Sequence, residues 1–290
     1  MDVKKHILYL YTETPMHVGT GVGLGAVDMP IQREKHTDYP IIQASGVKGA
    51  LRDTAELALG RDSQDVKSIF GGASGDKGED FAGAMSPSDA RILLFPVRAL
   101  NGVFVWITSP TVLARFKREV GIDGAPDTLD SDEAQVSNNG LLISQQVMLE
   151  EYTYPAQVTD TAVEWANYLA SYALHNATDA YWKDRLRTHL VILPDNEFRD
   201  FVCYSTEIVT RIHIDDVKKT VKDGQLFTQE LLPADSLLYS FVHVTNSRDE
   251  QIRSHDVVVK LQNAIGYRLQ IGGDETVGRG RVRLNWQEIE

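Results

Sequence analysis

Apolar and polar positions along this chain switch repeatedly between a two-residue and a helical period. Lys4 to Thr14 (KKHILYLYTET) is rich in aromatic and β-branched residues and predicts a strand ended by Pro15. Val47, Ala50, Leu51, Thr54 and Ala58 recur at helical spacing and predict a helix over roughly 46 to 59, with Ser45 as N-cap and Gly60 at its end. Arg91 to Ala99 and Val103 to Thr108 read as strands joined at Leu100-Asn101-Gly102, and Ser109-Pro110 opens a helix to about Val120. Leu141 to Tyr154 is β-rich, and Asp160 to Leu174 is helical by periodicity. Ile208 to Ile214 alternates, a polar segment follows to Asp223-Gly224, and Gln225 to Leu232 completes a predicted hairpin. Leu237 to Thr245 predicts another strand. Ser247-Arg248-Asp249-Glu250 forms a capping box for a helix reaching about Ile265 and stopped by Gly266. Leu269 to Leu284 holds two β pieces broken by glycines, while 70–88 and the acidic stretch 123–133 read as loops. Strands separated by helices, with hairpins among them, favour an α+β sandwich such as a ferredoxin-like core with insertions. No repeat or linker divides residues 1–290.

Candidate chemistry concentrates between Met16 and Arg52. Four glycines (Gly19, Gly21, Gly23, Gly25) precede a lone acid, Asp28, and the helix opened by Ser45 follows. Glycines let backbone approach a ligand closely, and a helix N-terminus offers free N–H groups and positive potential to an anion. Lys48 and Arg52 lie four apart and point the same way from that helix. The combination suggests a phosphate-bearing partner. Gly21 to Ala26 matches the letters of a dinucleotide fingerprint, but Pro30 denies the helix that pattern requires. Ser45-Gly46-Val47-Lys48 has SxxK spacing without the companion elements of penicillin-recognising enzymes. On local sequence alone Asp28 fits a turn-forming acid as well as a ligand, and His17 fits a loop-ordering residue as well as a proton carrier.

Composition narrows the partners. The single cysteine, Cys203, excludes an intrachain disulfide and any CxxC site. No apolar run is long enough to span a membrane and no signal peptide opens the chain, so a cytoplasmic location without membrane partners is expected. A net charge of −12 argues against a free-standing, non-specific nucleic-acid binder, although Gly278 to Arg283 is locally basic.

Three stretches together carry a family likeness: His17 to Glu34, Tyr39 to Asp53, and Ile271-Gly272-Gly273-Asp274-Glu275-Thr276-Val277-Gly278-Arg279-Gly280. They closely resemble the RAMP superfamily of CRISPR effector proteins, most of all the Cas seven group of backbone subunits of type III-B (Cmr) complexes. Gly224 to Glu230 adds to the resemblance, whereas 60–200 contributes little.

The resemblance implies a modified RNA-recognition-motif palm, with fingers inserted at about 60–200 and a thumb hairpin at about 208–232. Copies would stack along a guide RNA with other Cmr subunits, each thumb displacing a base pair between guide and target RNA. An acid in the position of Asp28 would cut the paired target as an endoribonuclease needing a divalent cation, Mg²⁺ or Mn²⁺, held by Asp28, with His17 and Glu230 as helpers. Ser45, Lys48 and Arg52, with Gly19, Gly21, Gly272, Gly273, Gly278, Arg279 and Gly280, would hold RNA backbone. The alternative is a structural backbone subunit that binds guide RNA without cutting.

Overall fold

A computed structural model describes residues 3–23, 25–72, 81–121, 126–127, 131–174, 180–214 and 221–289. Parts of the loops expected at 70–88 and 123–133, and of the hairpin turn expected at 215–224, lie outside them. The first half runs β1 (Val3–Thr12), β2 (Ile41–Ile42), α1 (Ala44–Leu59), α2 (Gln64–Phe70), β3 (Met85–Pro87), β4 (Ala90–Ala99), β5 (Val103–Thr108), α3 (Pro110–Val120) and β6 (Ala134–Val136). There follow β7 (Gln146–Leu149), β8 (Tyr152–Val158), α4 (Asp160–Tyr172), α5 (Ala180–Thr188), β9 (Leu190–Ile192) and α6 (Asp195–Tyr204). The chain ends with β10 (Glu207–Ile214), β11 (Val221–Leu231), β12 (Leu237–Thr245), α7 (Ser254–Ile265), β13 (Arg268–Gln270) and β14 (Arg281–Ile289).

The fold is mixed α+β. β1 is apolar on both faces because it is central: it pairs antiparallel with β12 on one side and β14 on the other, and Ile7 to Leu10 are fully buried. β12 continues antiparallel to β4. The sheet then passes through β5, β9, β6, β8 and β7, and Ala99 of β4 pairs with Leu149 of β7, so this half curls back on itself like a barrel. α1 and α7 pack together over this part of the sheet, α1 through Val47, Leu51 and Ala55 and α7 through Val257, Val258 and Leu261. β10 and β11 form a separate two-stranded sheet.

Helix starts depart from the local rules. Ser45 is not an N-cap: α1 begins one residue earlier, and the Ala44 N–H donates to Asp89 Oδ1 at 2.8 Å. The Ser247 box likewise opens no helix. Ser247 donates to Asp249 within a tight turn, and the N–H of Ser254, which starts α7, goes to Asn246 Oδ1 at 2.9 Å. A distant or upstream acceptor supplants the local serine in both cases. The 70–88 region is not all loop, since α2 runs into it and β3 pairs with β12. Ser109 does cap α3, accepting from the Val112 N–H with Pro110 in the first turn.

Candidate functional site

The glycine loop folds back on itself. The Thr20 N–H donates to the Pro30 carbonyl at 3.2 Å and the Gly23 N–H to the Asp28 carbonyl at 2.8 Å. Its return leg then joins the hairpin: Met29 N–H donates to Thr228 O and Glu230 N–H to Met29 O, each at 3.0 Å, a parallel bridge between Met29 and Gln229. This ladder delivers Asp28 to the side of β11. Thr228 donates to Asp28 Oδ2 from its backbone N–H at 2.7 Å and its hydroxyl at 2.9 Å, while the hydroxyl oxygen accepts from the Asp28 N–H at 3.0 Å. Those two donors hold the exposed Asp28 carboxyl below the usual range, so it is ionised at neutral pH. An open groove of about 370 Å³ runs beside the loop, between Val27, Pro30, Arg33, Tyr204 and Ile208.

Side chains alternate along β11, which puts Thr228 and Glu230 on one face and Gln229 on the other. Glu230 is buried and internally engaged, accepting from the Ile31 N–H at 3.0 Å and the Thr206 hydroxyl at 2.8 Å and pairing with Arg33. His17 is buried too, with Nδ1 2.8 Å from the Glu230 carbonyl oxygen. A Cβ on Gly19 would stand 2.6 Å from His17 Nε2, so only glycine lets the ring lie there. The helpers expected from the resemblance thus sit in the layer behind Asp28, tied to the same strand.

The C-terminal loop closes on this layer. Gly273 N–H donates to the His17 carbonyl at 2.9 Å, and Gly280 N–H to that of Pro15 at 3.0 Å. Gly272 and Gly280 adopt φ of +88° and +71°, and a Cβ at either would meet a carbonyl oxygen, of His17 at 2.3 Å or of Ile271 at 2.0 Å. Gly278 and neighbouring Arg279 complete the loop, Gly278 with open space around it. Asp274, between the glycines, accepts from Gln229 Nε2 at 2.7 Å and pairs with Arg211 of β10. Burial raises its carboxyl, and the bonds from Arg211 and Gln229 more than reverse that.

Helix α1 contributes differently from expectation. Arg52 and Lys48 do share a side of the helix, but Arg52 pairs with Glu56 at 2.7 Å. Burial and the nearby Arg52 depress Lys48. Ser45 is exposed, and no hydrogen bond or ion pair among the described residues joins these three to Asp28. The link is Gln32, whose Oε1 accepts from the Gln43 N–H at 2.9 Å and whose Nε2 donates to Gly19 O at 3.3 Å. Sequence reasoning assigned no role to Gln32, Thr228, Gln229 or Asp274, although each lies in a stretch that carries the resemblance: His17 to Glu34, Gly224 to Glu230 or Ile271 to Gly280.

Among the described residues no group of three or more His, Cys, Asp or Glu could hold a metal. Asp28 offers one carboxylate whose Oδ1 takes no part in the Thr228 bonds. That donor set fits a hydrated Mg²⁺ shared with a phosphate, which needs only one or two carboxylates, and does not fit a closed protein cage.

Comparison with known proteins identifies the family. The family model described as RAMP superfamily matches residues 9–283. The chain is 37% identical over 294 residues to the CRISPR system Cmr endoribonuclease Cmr4 of Pyrococcus furiosus, covering 99% of this chain and 97% of that one. It is 26% identical to the CRISPR system CMR subunit Cmr4 of Saccharolobus solfataricus, covering 96% and 95%. The crystal structure of oligomeric Cmr4 from Pyrococcus furiosus superposes with a TM-score of 0.76 at 32% identity and 99% coverage of both chains. A chain of the type III-B Cmr-beta complex bound to cognate target RNA shares the fold, with a TM-score of 0.74 at 20% identity over 99% and 97%. With its matching model, full-length relatives and shared fold, the chain belongs to the RAMP superfamily and to the Cmr4 group within it.

Proposed function

We propose that this chain is a guide-RNA-binding filament subunit of a type III-B CRISPR effector complex and an endoribonuclease that cuts guide-paired target RNA at regular intervals. Its partners on this reading are guide RNA, target RNA, further copies of itself and other Cmr subunits. The order β14-β1-β12-β4, all antiparallel, with α1 and α7 in the crossovers, supports reading these elements as a ferredoxin-like palm. The barrel-like half at about 60–200 is then the finger region and β10–β11 the thumb.

The observation that carries the cutting activity is the placement of Asp28, an exposed, ionised carboxylate locked to the base of the hairpin by Thr228. Cleavage by 2′-OH attack needs the ribose oxygen in line with the scissile bond, and a nucleotide displaced by the hairpin gains that freedom. A proton acceptor works best with a pKa near the operating pH, and Asp28 is shifted away from it. Its role on this reading is to hold a divalent cation, Mg²⁺ or Mn²⁺, which when bound supplies charge stabilisation at the phosphate. His17 and Glu230 keep the strand and loop in register. Gly19, Gly21, Gly272, Gly273, Gly278, Arg279 and Gly280 line the backbone path, and Ser45, Lys48 and Arg52 hold guide phosphates.

The test is a complex reconstituted with guide RNA and Mg²⁺ and offered a labelled complementary target. Wild type should release products at even spacing, and Asp28→Asn should assemble normally and release none. Wild-type cutting by the variant would sink the assignment, and an inert wild-type complex would favour the purely structural subunit.

A further inference from the structure

β11 is gripped from both faces at its base, and only one grip is explained by the site above. Thr228 and Glu230 face the loop that carries Asp28, whereas Gln229, 3% exposed, turns to the opposite face and meets Asp274. There three side chains close a ring. Gln229 Nε2 donates to Asp274 Oδ2 at 2.7 Å, Arg211 Nη1 donates to Gln229 Oε1 at 3.1 Å, and Arg211 pairs with Asp274. Arg211 also stands over the Phe227 ring, 5.9 Å from its centroid, so although partly exposed it is held against the hairpin.

Asp274 is built for this contact. It adopts φ of +63° and ψ of +30°, a left-handed conformation that Asp tolerates better than most residues and that folds the glycine-rich loop toward the hairpin. A carboxylate in a loop approaching RNA phosphates repels them unless its charge is matched, and Arg211 matches it. The chain of contact is short: Asp274 fixes the Gln229 side chain, the Gln229 backbone is bridged to Met29, and the flanking residues Thr228 and Asp28 make the hydrogen bonds that aim the carboxylate.

We propose that Asp274 is a positioning residue for RNA cutting, which through Gln229 and Arg211 sets the register of the hairpin base and with it the aim of Asp28. The inference rests on the proposed endoribonuclease activity. It couples the loop read as holding RNA backbone to the strand that orients the cutting group, so that one responds to the other.

The experiment uses the reconstituted complex with guide RNA, Mg²⁺ and saturating target in single turnover, and 2-aminopurine in the target at the displaced position. Asp274→Asn keeps the left-handed backbone and removes the charge, and Gln229→Ala removes the relay. Each should leave guide loading and target affinity within about two-fold of wild type, dim the 2-aminopurine signal and slow cutting on the order of 10- to 100-fold, the scale of a small misplacement of reacting groups. The double variant should be no slower than the worse single one, since both act through the same three-residue ring. Unchanged cutting by Asp274→Asn, additive losses, or lost guide loading with normal cutting per loaded complex would each overturn the proposal. Should Asp274→Asn fail to assemble, Arg211→Gln provides the same readouts from the other side of the ring. Asp28→Asn run alongside keeps the two readings apart: it should abolish cutting while the 2-aminopurine signal stays bright, and its cutting at wild-type rate sinks the endoribonuclease reading instead.

Discussion

Thr228 holds Asp28 with two hydrogen bonds to one carboxylate oxygen, at 2.7 and 2.9 Å, although 200 residues of chain separate them. The backbone N–H makes one of these bonds and survives any substitution except proline. Thr228→Val therefore loosens Asp28 without freeing it. A carboxylate aimed by one donor instead of two is less well placed, so target cutting should slow on the order of ten-fold while guide binding holds. Single-turnover cleavage by the reconstituted complex checks this.

Asp28→Asn is isosteric, and one of its amide atoms can still meet Thr228, so folding is preserved. Loss of the carboxylate that would hold the cation should abolish detectable cutting. Thermal melting of the chain should be unchanged, which separates a chemical defect from a folding one.

The pH dependence follows from the direction of the Asp28 shift. Its carboxyl is held below the ordinary value of 3.8 by Thr228, so it stays ionised as pH falls from neutrality towards 5. A rate profile over that interval should show no acidic limb belonging to Asp28. An acidic limb in wild type that moves to higher pH in Thr228→Val, which removes one of the donors holding the carboxyl down, would belong to Asp28 and overturn the assignment.

Stability at low pH is a separate matter, for which Asp249 is the group to watch. Burial raises its carboxyl, and hydrogen bonds from Ser247, Ser68 and Gln64 more than reverse this, leaving it well below 3.8. A carboxyl whose folded-state value is depressed stabilises the fold above its unfolded value, and that contribution is lost as pH falls through the folded one. Asp249→Asn should therefore flatten the acid side of the stability curve below about pH 4, measured by denaturant unfolding.

Glu230 and Arg33 form a pair with side chains 7% and 15% exposed. Glu230→Ala strips a half-buried guanidinium of its carboxylate partner and leaves the buried Ile31 N–H without its acceptor. It should cost about 3–5 kcal/mol by denaturant unfolding, which exceeds any effect expected of a surface helper. A chelator, by contrast, should stop cutting and leave the melting temperature of the isolated chain unchanged, because Asp28 alone cannot make a structural metal centre.

Elements written in neighbouring residues were legible in the sequence: β1, the Leu100 to Gly102 turn, α3 with its Ser109-Pro110 start, and the strands of the hairpin. Features fixed across the chain were not. Asp89 takes the N–H of Ala44 at a helix start one residue before the expected cap, Ser45, and the barrel-like half depends on parallel pairings, β5 with β9 and β6 with β8, that no local pattern announces. Asp28, His17 and the C-terminal glycines stood out by their spacing, whereas Thr228 and Gln229 look like ordinary strand residues. Their significance comes from which face of β11 they occupy and what packs there.

The position of β1 also bears on how the chain is made. Residues 3–12 have their partners far later in the chain, at 237–245 and 281–289. The sheet around β1 cannot close until both of those segments have been made, so β1 must wait as an unpaired apolar strand while the barrel-like half folds. Such long-range pairing is slow and exposes the nascent chain to misassociation. Expression at a reduced elongation rate, or with a holdase chaperone present, is accordingly where yield of soluble protein should improve.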